Sequence, residues 1–248
     1  MDKALYVAMS GAQANLRAQA AVSHNLANAS TTGFKEDFAQ ARAMGVYYGD
    51  GHPTRAYALT ERPGTNLESG SLMQTGRDLD IAVEGEGWIA VRAADGSEAY
   101  TRAGSLDVDV TGLLQTKGGH TVLGDGGPIN IPPDNNIEIA PDGTVSVVPN
   151  FGTPNNANAI GRIKLVHPPE GDLVRGADGL FRLRNGQPAP ADERVRLTSG
   201  TLEGSNVNVT DSMVNLISLA RQFEMQVKLL QTADTNAQRA DQLLSLNA

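Results

Sequence analysis

The sequence predicts a mainly β protein with long terminal α-helices: a central antiparallel β-domain flanked by N- and C-terminal helices that pair as a coiled coil on assembly. Three observations predict it. Residues 2–28 and 208–246 carry apolar residues at helical spacing and almost no Gly or Pro. Residues 71–200 alternate with the period of a strand and are punctuated by Asp-Gly pairs. The tail helix, at ~1.5 Å per residue, would reach roughly 58 Å, far more than a small β-domain needs for its own core. The chain thus divides into a first helix with its following turn over 1–35, an extended connector or hairpin over 36–70, a β-rich domain over 71–203 and a C-terminal helix over 204–248.

The first helix runs from Asp2, a candidate N-cap, to about Asn28. Its seam passes through Leu5, Met9, Ala12, Leu16, Gln19, Ser23 and Leu26, and wants another helix against it. The run Asn28-Ala29-Ser30-Thr31-Thr32-Gly33 stops it, because short polar side chains compete for backbone hydrogen bonds and glycine follows. Residues 36–70 mix Gly45, Gly49, Gly51, Pro53, Pro63 and Gly64 with few apolar residues, which favours extended chain over helix.

In the β region Leu79, Ile81 and Val83 alternate with Asp80 and Ala82, and Leu106, Val108 and Val110 alternate with Asp107 and Asp109. The clearest hairpin joins 137–140 to 145–148 through Pro141-Asp142-Gly143-Thr144; Asp95-Gly96 and Asp178-Gly179 mark two more turns. Further strands are predicted at 88–92, 129–131, 162–166, 181–184 and 195–198. The final helix, capped by Asn208 or Thr210, carries the seam Met213, Leu216, Ala220, Phe223, Val227, Leu230, Asp234, Ala237, Asp241 and Leu244, of which eight in ten are apolar. Its two aspartates either mark where the seam meets solvent or fix register against a partner. Isolated helices of this kind are marginal in water, so both ends are predicted to be poorly ordered in the free monomer and to fold on docking.

Composition excludes several function classes. A net charge of −8 and a pI near 5.0 leave no basic footprint for nucleic acid. Without cysteine there is no disulfide, thiolate nucleophile or Cys-ligated metal. The apolar stretch over 4–9 is too short for a signal-peptide core or a membrane span, so export through an ordinary cleaved signal and membrane insertion are not expected. Gly85-Glu86-Gly87 is followed by strand rather than by a helix N-terminus, and reads as a turn rather than a dinucleotide site. The pairs Asp78/Asp80 and Asp107/Asp109 read as solvated strand faces. His24, His52, His120 and His167 share no metal-ligand spacing. No catalytic, cofactor or metal residue is therefore assigned, and the chain is not expected to be an enzyme.

Four stretches carry a resemblance. Asn25-Leu26-Ala27-Asn28-Ala29-Ser30-Thr31-Thr32-Gly33-Phe34-Lys35 closely resembles the N-terminal signature of bacterial flagellar rod and hook proteins. Leu202-Glu203-Gly204-Ser205-Asn206-Val207-Asn208-Val209 resembles their C-terminal signature. Between them, Leu79-Asp80-Ile81-Ala82-Val83-Glu84-Gly85-Glu86-Gly87-Trp88 and Ala99-Tyr100-Thr101-Arg102-Ala103-Gly104-Ser105-Leu106 are similar to the family's β-domain. Within the family, Arg221-Gln222-Phe223-Glu224-Met225-Gln226-Val227-Lys228 resembles the proximal-rod branch; distal-rod and hook members tend to carry Tyr at the Phe223 position. The connector is too variable in wording to place Tyr47, Tyr48 and Tyr57.

The resemblance implies a structural subunit whose terminal helices pair and pack against neighbouring subunits, forming the inner tube of an axial filament with the β-domain outside. It implies partnership with copies of itself, other rod proteins and the flagellar export apparatus, and a place in the basal-body rod that crosses the periplasm. The assembly residues expected are Leu5, Met9, Leu16, Asn25, Leu26, Asn28 and Phe34 in the head, and Asn206, Met213, Leu216, Phe223, Val227, Leu230 and Leu244 in the tail. Two alternatives stand beside it: a distal-rod subunit, and a periplasmic β-domain that binds peptidoglycan through converging carboxylates in a cleft.

Overall fold

Two helices and a series of short antiparallel strands make up the chain, which a computed structural model describes over residues 2–39, 41–46, 55–60, 64–133, 135–149 and 158–245. The chain forms two compact units. A helical unit contains 1–29, 36–66 and 207–248, and a β unit contains 30–35 and 67–206.

In the helical unit, helix α1 spans Asp2–Ala27 and helix α2 spans Val209–Ser245. Of the two candidate caps on α2, Asn208 takes the role: its Oδ1 accepts the Thr210 and Asp211 N–H groups at 3.0 and 3.4 Å. At the end of α1, the Asn28 side chain donates to the His24 carbonyl at 2.9 Å, which satisfies one orphan acceptor of the last turn.

The two helices lie along one another. Gly11 is one point of contact. A side chain on Gly11 would begin 2.9 Å from Gln226 Nε2, and Ala12 and Ala14 are buried. Along α2 the covered stripe runs through Ser212, Leu216, Leu219, Ala220, Phe223, Gln226, Val227 and Leu230. This is the expected seam except at its start, where Met213 is half exposed and Ser212 is buried. On a straight helix a 3.5-residue repeat drifts by ~20° per heptad, so the line through Val227 and Ala220 has moved off Met213, two heptads before Val227. The head departs further from expectation. Leu5, Gln19 and Leu26 are half-buried, but Met9 (57% exposed) and Leu16 (48%) face away with Tyr6 and Gln13. Asp234 is exposed, whereas the side chains of Ala237, Asp241 and Leu244 lie outside the described residues, as do Tyr47, Tyr48, His52 and the side chain of Tyr57.

Between the helices in sequence, Ala41–Val46 and Arg55–Thr60 pair antiparallel, and Asp37–Phe38 pairs with Gly64–Thr65. The hairpin meets α1, where Ser10 Oγ accepts the Ala58 N–H at 3.4 Å.

The β unit is built on a sheet in the order Leu173–Arg175, Phe181–Leu183, Glu98–Thr101, Trp88–Arg92, Thr121–Gly124, Leu114–Thr116 and Leu106–Val108. Trp88–Arg92 is buried on both faces. Ile89 and Val91 join a large core with Ile81, Leu106, Leu114, Val122, Val145 and Ile163, while Trp88 and Ala90 join Tyr100, Leu123, Val166 and Phe181. The 135–149 hairpin forms about Asp142-Gly143 as expected, with Gly143 at φ +87°, and Gly96 and Gly179 turn likewise.

Several strand expectations change. Val110 does not extend its strand but tips a turn, fully exposed, because Asp109 Oδ1 caps the Val110 N–H at 2.7 Å. Residues 129–131 form an isolated bridge between Leu113 and Asn130 rather than a strand. Asp80 is not on a solvated face: it is buried, 3.2 Å from Ser105 Oγ.

Tyr100 carries a pH-dependent contribution to this core. Its hydroxyl donates to Glu98 Oε1 at 3.0 Å and accepts the Ala189 N–H at 2.7 Å, and burial pushes the phenol up to about 12. A phenol pKa raised above its unfolded value contributes stability that is intact below pH 10 and lost as pH climbs from 10 towards 12. Two pH units correspond to about 2–3 kcal/mol. Urea midpoints should therefore fall more steeply above pH 10 in the wild type than in Tyr100→Phe. Parallel profiles would contradict this.

Candidate functional site

The four motifs that carry the family resemblance meet inside the β unit, in a buried ring of charges and aromatic side chains. Its centre is Glu203, at the end of the strand Thr201–Glu203. Glu203 Oε1 accepts Lys35 Nζ at 2.7 Å and the Gly70 N–H at 3.0 Å. Its Oε2 accepts Arg102 NH1 at 2.9 Å, and its carbonyl accepts the Gly33 N–H at 2.8 Å. The Lys35 and Glu203 side chains are 0% exposed and Arg102 is 3% exposed, so these are desolvated ion pairs.

Both cations also reach backbone carbonyls. Lys35 Nζ gives a second bond to the Glu68 carbonyl at 2.7 Å, and Arg102 NH2 reaches the Gly85 carbonyl at 2.7 Å. Arg102 Nε has no acceptor, but the guanidinium stacks over Trp88 at 5.3 Å from the ring centre. Trp88 in turn packs against Phe181, centroids 4.6 Å apart and tilted 46°. The ring closes through Arg175, whose guanidinium lies 4.4 Å above Phe34 and 5.9 Å from Phe181, and whose NH1 donates to the Lys35 carbonyl at 3.0 Å. Burial pushes the Lys35 ammonium below its ordinary value, and the bond to the Glu203 carboxylate opposes that shift.

Backbones pass too closely here for side chains. Gly33 sits at φ +69°, and a Cβ on it would lie 2.3 Å from the Arg102 carbonyl carbon and the Ala103 nitrogen. Gly104 is tighter still, with Ile81 O at 1.6 Å from the ideal Cβ position. The glycines of the motifs therefore let three segments thread past one another.

The expected assembly residues fall in different places. Phe34 belongs to the ring, and Asn206 Nδ2 donates to the Glu68 carbonyl at 3.1 Å beside it. Asn25, in the helical unit, is buried and clamps the backbone of Asp37 in both directions, giving to its carbonyl at 2.9 Å and accepting its N–H at 3.0 Å. Leu216, Phe223, Val227 and Leu230 lie on the covered stripe of α2; Met9, Leu16 and Met213 are exposed. Exposed with them are Tyr6 on α1 and Val214, Ile217, Met225 and Leu229 on α2. Sequence reasoning quoted Lys35, Arg102, Glu203 and Trp88 without singling them out and passed over Arg175. A signal was there for two of them: Thr101-Arg102-Ala103-Gly104 and Thr201-Leu202-Glu203-Gly204 each set one charge among apolar or small neighbours, whereas Lys35 is followed by Glu36 and Asp37 and gave none.

The two grooves of the β unit bear on the peptidoglycan alternative. One, lined by Val108, Asp109, Val110, Asn130, Pro132 and Ile137 among others, holds a single carboxylate among the described residues. The other contains Glu98 and Asp125, but Lys164 Nζ occupies both oxygens of Glu98 at 2.8 and 2.9 Å.

Comparison with known proteins places the motifs in a wider setting. Residues 5–35 match the family model for flagella basal body rod protein, 82–147 that for the flagellar hook protein FlgE/F/G D1 domain, and 198–243 that for the flagellar basal body rod FlgEFG protein C-terminal region. Lys35, Arg102 and Glu203 thus come one from each. Over its whole length the chain is 46% identical to flagellar basal-body rod protein FlgF of Escherichia coli strain K12, with 100% of both chains covered. It is 44% identical to FlgF of Salmonella typhimurium, again over 100% of both. Similarity to flagellar basal-body rod protein FlgG of Bacillus subtilis is lower, 33% over 94% of this chain and 96% of that one.

Proposed function

The chain belongs to the flagellar basal-body rod protein family, as a structural subunit of the rod, and from that premise we propose that it is a proximal-rod subunit that assembles through its terminal helices. The full-length match to FlgF, at 46% identity, carries the reading, and it favours the proximal over the distal rod because the two relatives matched at 44% and 46% are both FlgF. Phe223 agrees with that choice. Copies of itself, other rod proteins and the export apparatus are the partners, and the protein reaches the periplasmic rod without a cleaved signal.

Two features support assembly through the helices. Gly11, on the α1 side of the pair, has no side chain to bury, and the stripe on α2 is only half-buried, so the pair gains little from packing. The large apolar residues Tyr6, Met9 and Leu16 of α1, and Val214, Ile217 and Leu229 of α2, are left exposed, as a surface awaiting neighbours would leave them. Packing against adjacent subunits as a coiled coil then completes both helices.

Leu16→Asp tests this most directly. Leu16 is exposed, so the substitution should leave the free chain within about 1 kcal/mol of wild-type stability, yet it should stop rod incorporation and swimming. Leu230→Asp places a carboxylate on the covered stripe and should lose both the helix pair and motility. Normal swimming in both variants would sink the reading. Limited proteolysis of the free monomer should leave a resistant fragment near 70–200 with both helices cut away; full resistance would instead mean a self-contained protein.

A further inference from the structure

We propose that Glu203 acts as a closing lock: the segments 30–35 and 67–70 seat in the β unit only once the strand Thr201–Glu203 has docked. The lock has two cations and one anion. Lys35 and Arg102 both aim at one carboxylate, and both are desolvated with it. Burying either cation without that carboxylate leaves an uncompensated charge inside the protein, which is strongly unfavourable. The carboxylate arrives from far along the chain, 168 residues after Lys35, 133 after Gly70 and 101 after Arg102. Pairings of such separation form late, and during synthesis the N-terminal partners emerge first.

The position of the lock gives it a consequence. The chain passes between the two units at 29–30, 35–36, 66–67 and 206–207. Gly33, Lys35, Glu68 and Glu203, each bonded in the cluster, stand within about three residues of one of those passages. Glu203 therefore gathers every entry and exit of the β unit. Until it docks, the segment 30–35 stays loose and cannot seat early on a partial chain. This inference does not depend on the proximal-rod reading.

Hydrogen exchange of the full-length monomer tests it through an asymmetry. Glu203→Gln strands two cations, whereas Lys35→Met leaves Arg102 and Glu203 as a matched pair. In E203Q the Gly33 and Gly70 amides should exchange at least 100-fold faster than in wild type, while Ile89 to Val91 stay within 3-fold. In K35M the Gly70 amide should stay within 5-fold of wild type. The triple variant K35M/R102M/E203L, which removes all three charges but keeps the Glu203 carbonyl that accepts the Gly33 N–H, should recover Gly33 protection to within 10-fold. Unchanged exchange in E203Q, equal loss in K35M and E203Q, or no recovery in the triple variant would each overturn the lock. If E203Q fails to fold, K35M and the triple variant still decide it, because K35M must retain Gly70 protection and the triple variant Gly33 protection.

Discussion

Gly104→Ala is expected to destabilise the β unit by about 4 kcal/mol or more, at the extreme of what a single methyl group does. Gly104 has no left-handed backbone to protect; the constraint is space alone. The Ile81 N–H donates to the Gly104 carbonyl at 2.9 Å, and this close pairing brings the Ile81 oxygen to 1.6 Å from where a Cβ would stand. A neighbouring side chain might rotate away from such an intrusion, but a carbonyl in a paired strand does not. To admit the methyl, residues 102–105 must lift from the strand Ile81–Glu84, losing that bond, the Asp80–Ser105 bridge and the packing of Ile81, which is fully buried. Domains hold only about 5–15 kcal/mol in total, so much of the stability goes. Thermal unfolding followed by circular dichroism should shift down by roughly 8 °C or more. Gly126→Ala is the matched control, since nothing lies within 4 Å of its Cβ position and its φ is ordinary; it should move by less than about 0.5 kcal/mol. Equal shifts in the two variants would show that the close approach is not what holds Gly104.

How much of this was legible in the sequence follows from the physics of each element. The helices, the Asp-Gly hairpins and the strand Trp88–Arg92 announced themselves because their signals are local: periodicity, caps and residues that favour positive φ. Which face of α1 is covered was not legible. Periodicity marks the large residues, yet Met9 and Leu16 are exposed while Gly11 lies against Gln226 of the other helix. Val110 continued an alternating pattern and still left its strand, because Asp109 offered the backbone a better bond two residues early. The buried ring was the least legible part. Lys35, Arg102 and Glu203 are ordinary charges in one dimension, and only the threading of three distant segments makes them partners. Their motifs drew attention through their wording, while the reason for that wording, a shared carboxylate and glycines at points of contact, is a property of the fold.

Trp88→Ala should cost about 4–6 kcal/mol, and its size distinguishes a filled space from an electrostatic seat. The only tryptophan in the chain is buried where the strand Trp88–Arg92 enters the sheet, against Phe181 on one side and the Arg102 guanidinium on the other. Removing so large a core side chain costs about 3–5 kcal/mol through lost burial and the remaining cavity. A desolvated cation over an indole face adds on the order of 1–2 kcal/mol. That second share matters because Arg102 Nε has no acceptor: the ring face is what the guanidinium has in place of a bond on that edge. Two milder variants separate the shares. Trp88→Phe keeps an aromatic face and Trp88→Leu keeps apolar bulk without one, so Leu should be the worse by about 1 kcal/mol when Arg102 is present. In the Arg102→Met background the two should converge, since no cation remains to be seated. Urea unfolding followed by circular dichroism reads all four combinations without relying on the fluorescence that the substitution removes. A Phe–Leu gap that persists with Met at 102 would mean that Trp88 is held by shape alone, and the charge cluster would then end at Arg102 rather than continue through the aromatic side chains to Arg175 and back to Lys35.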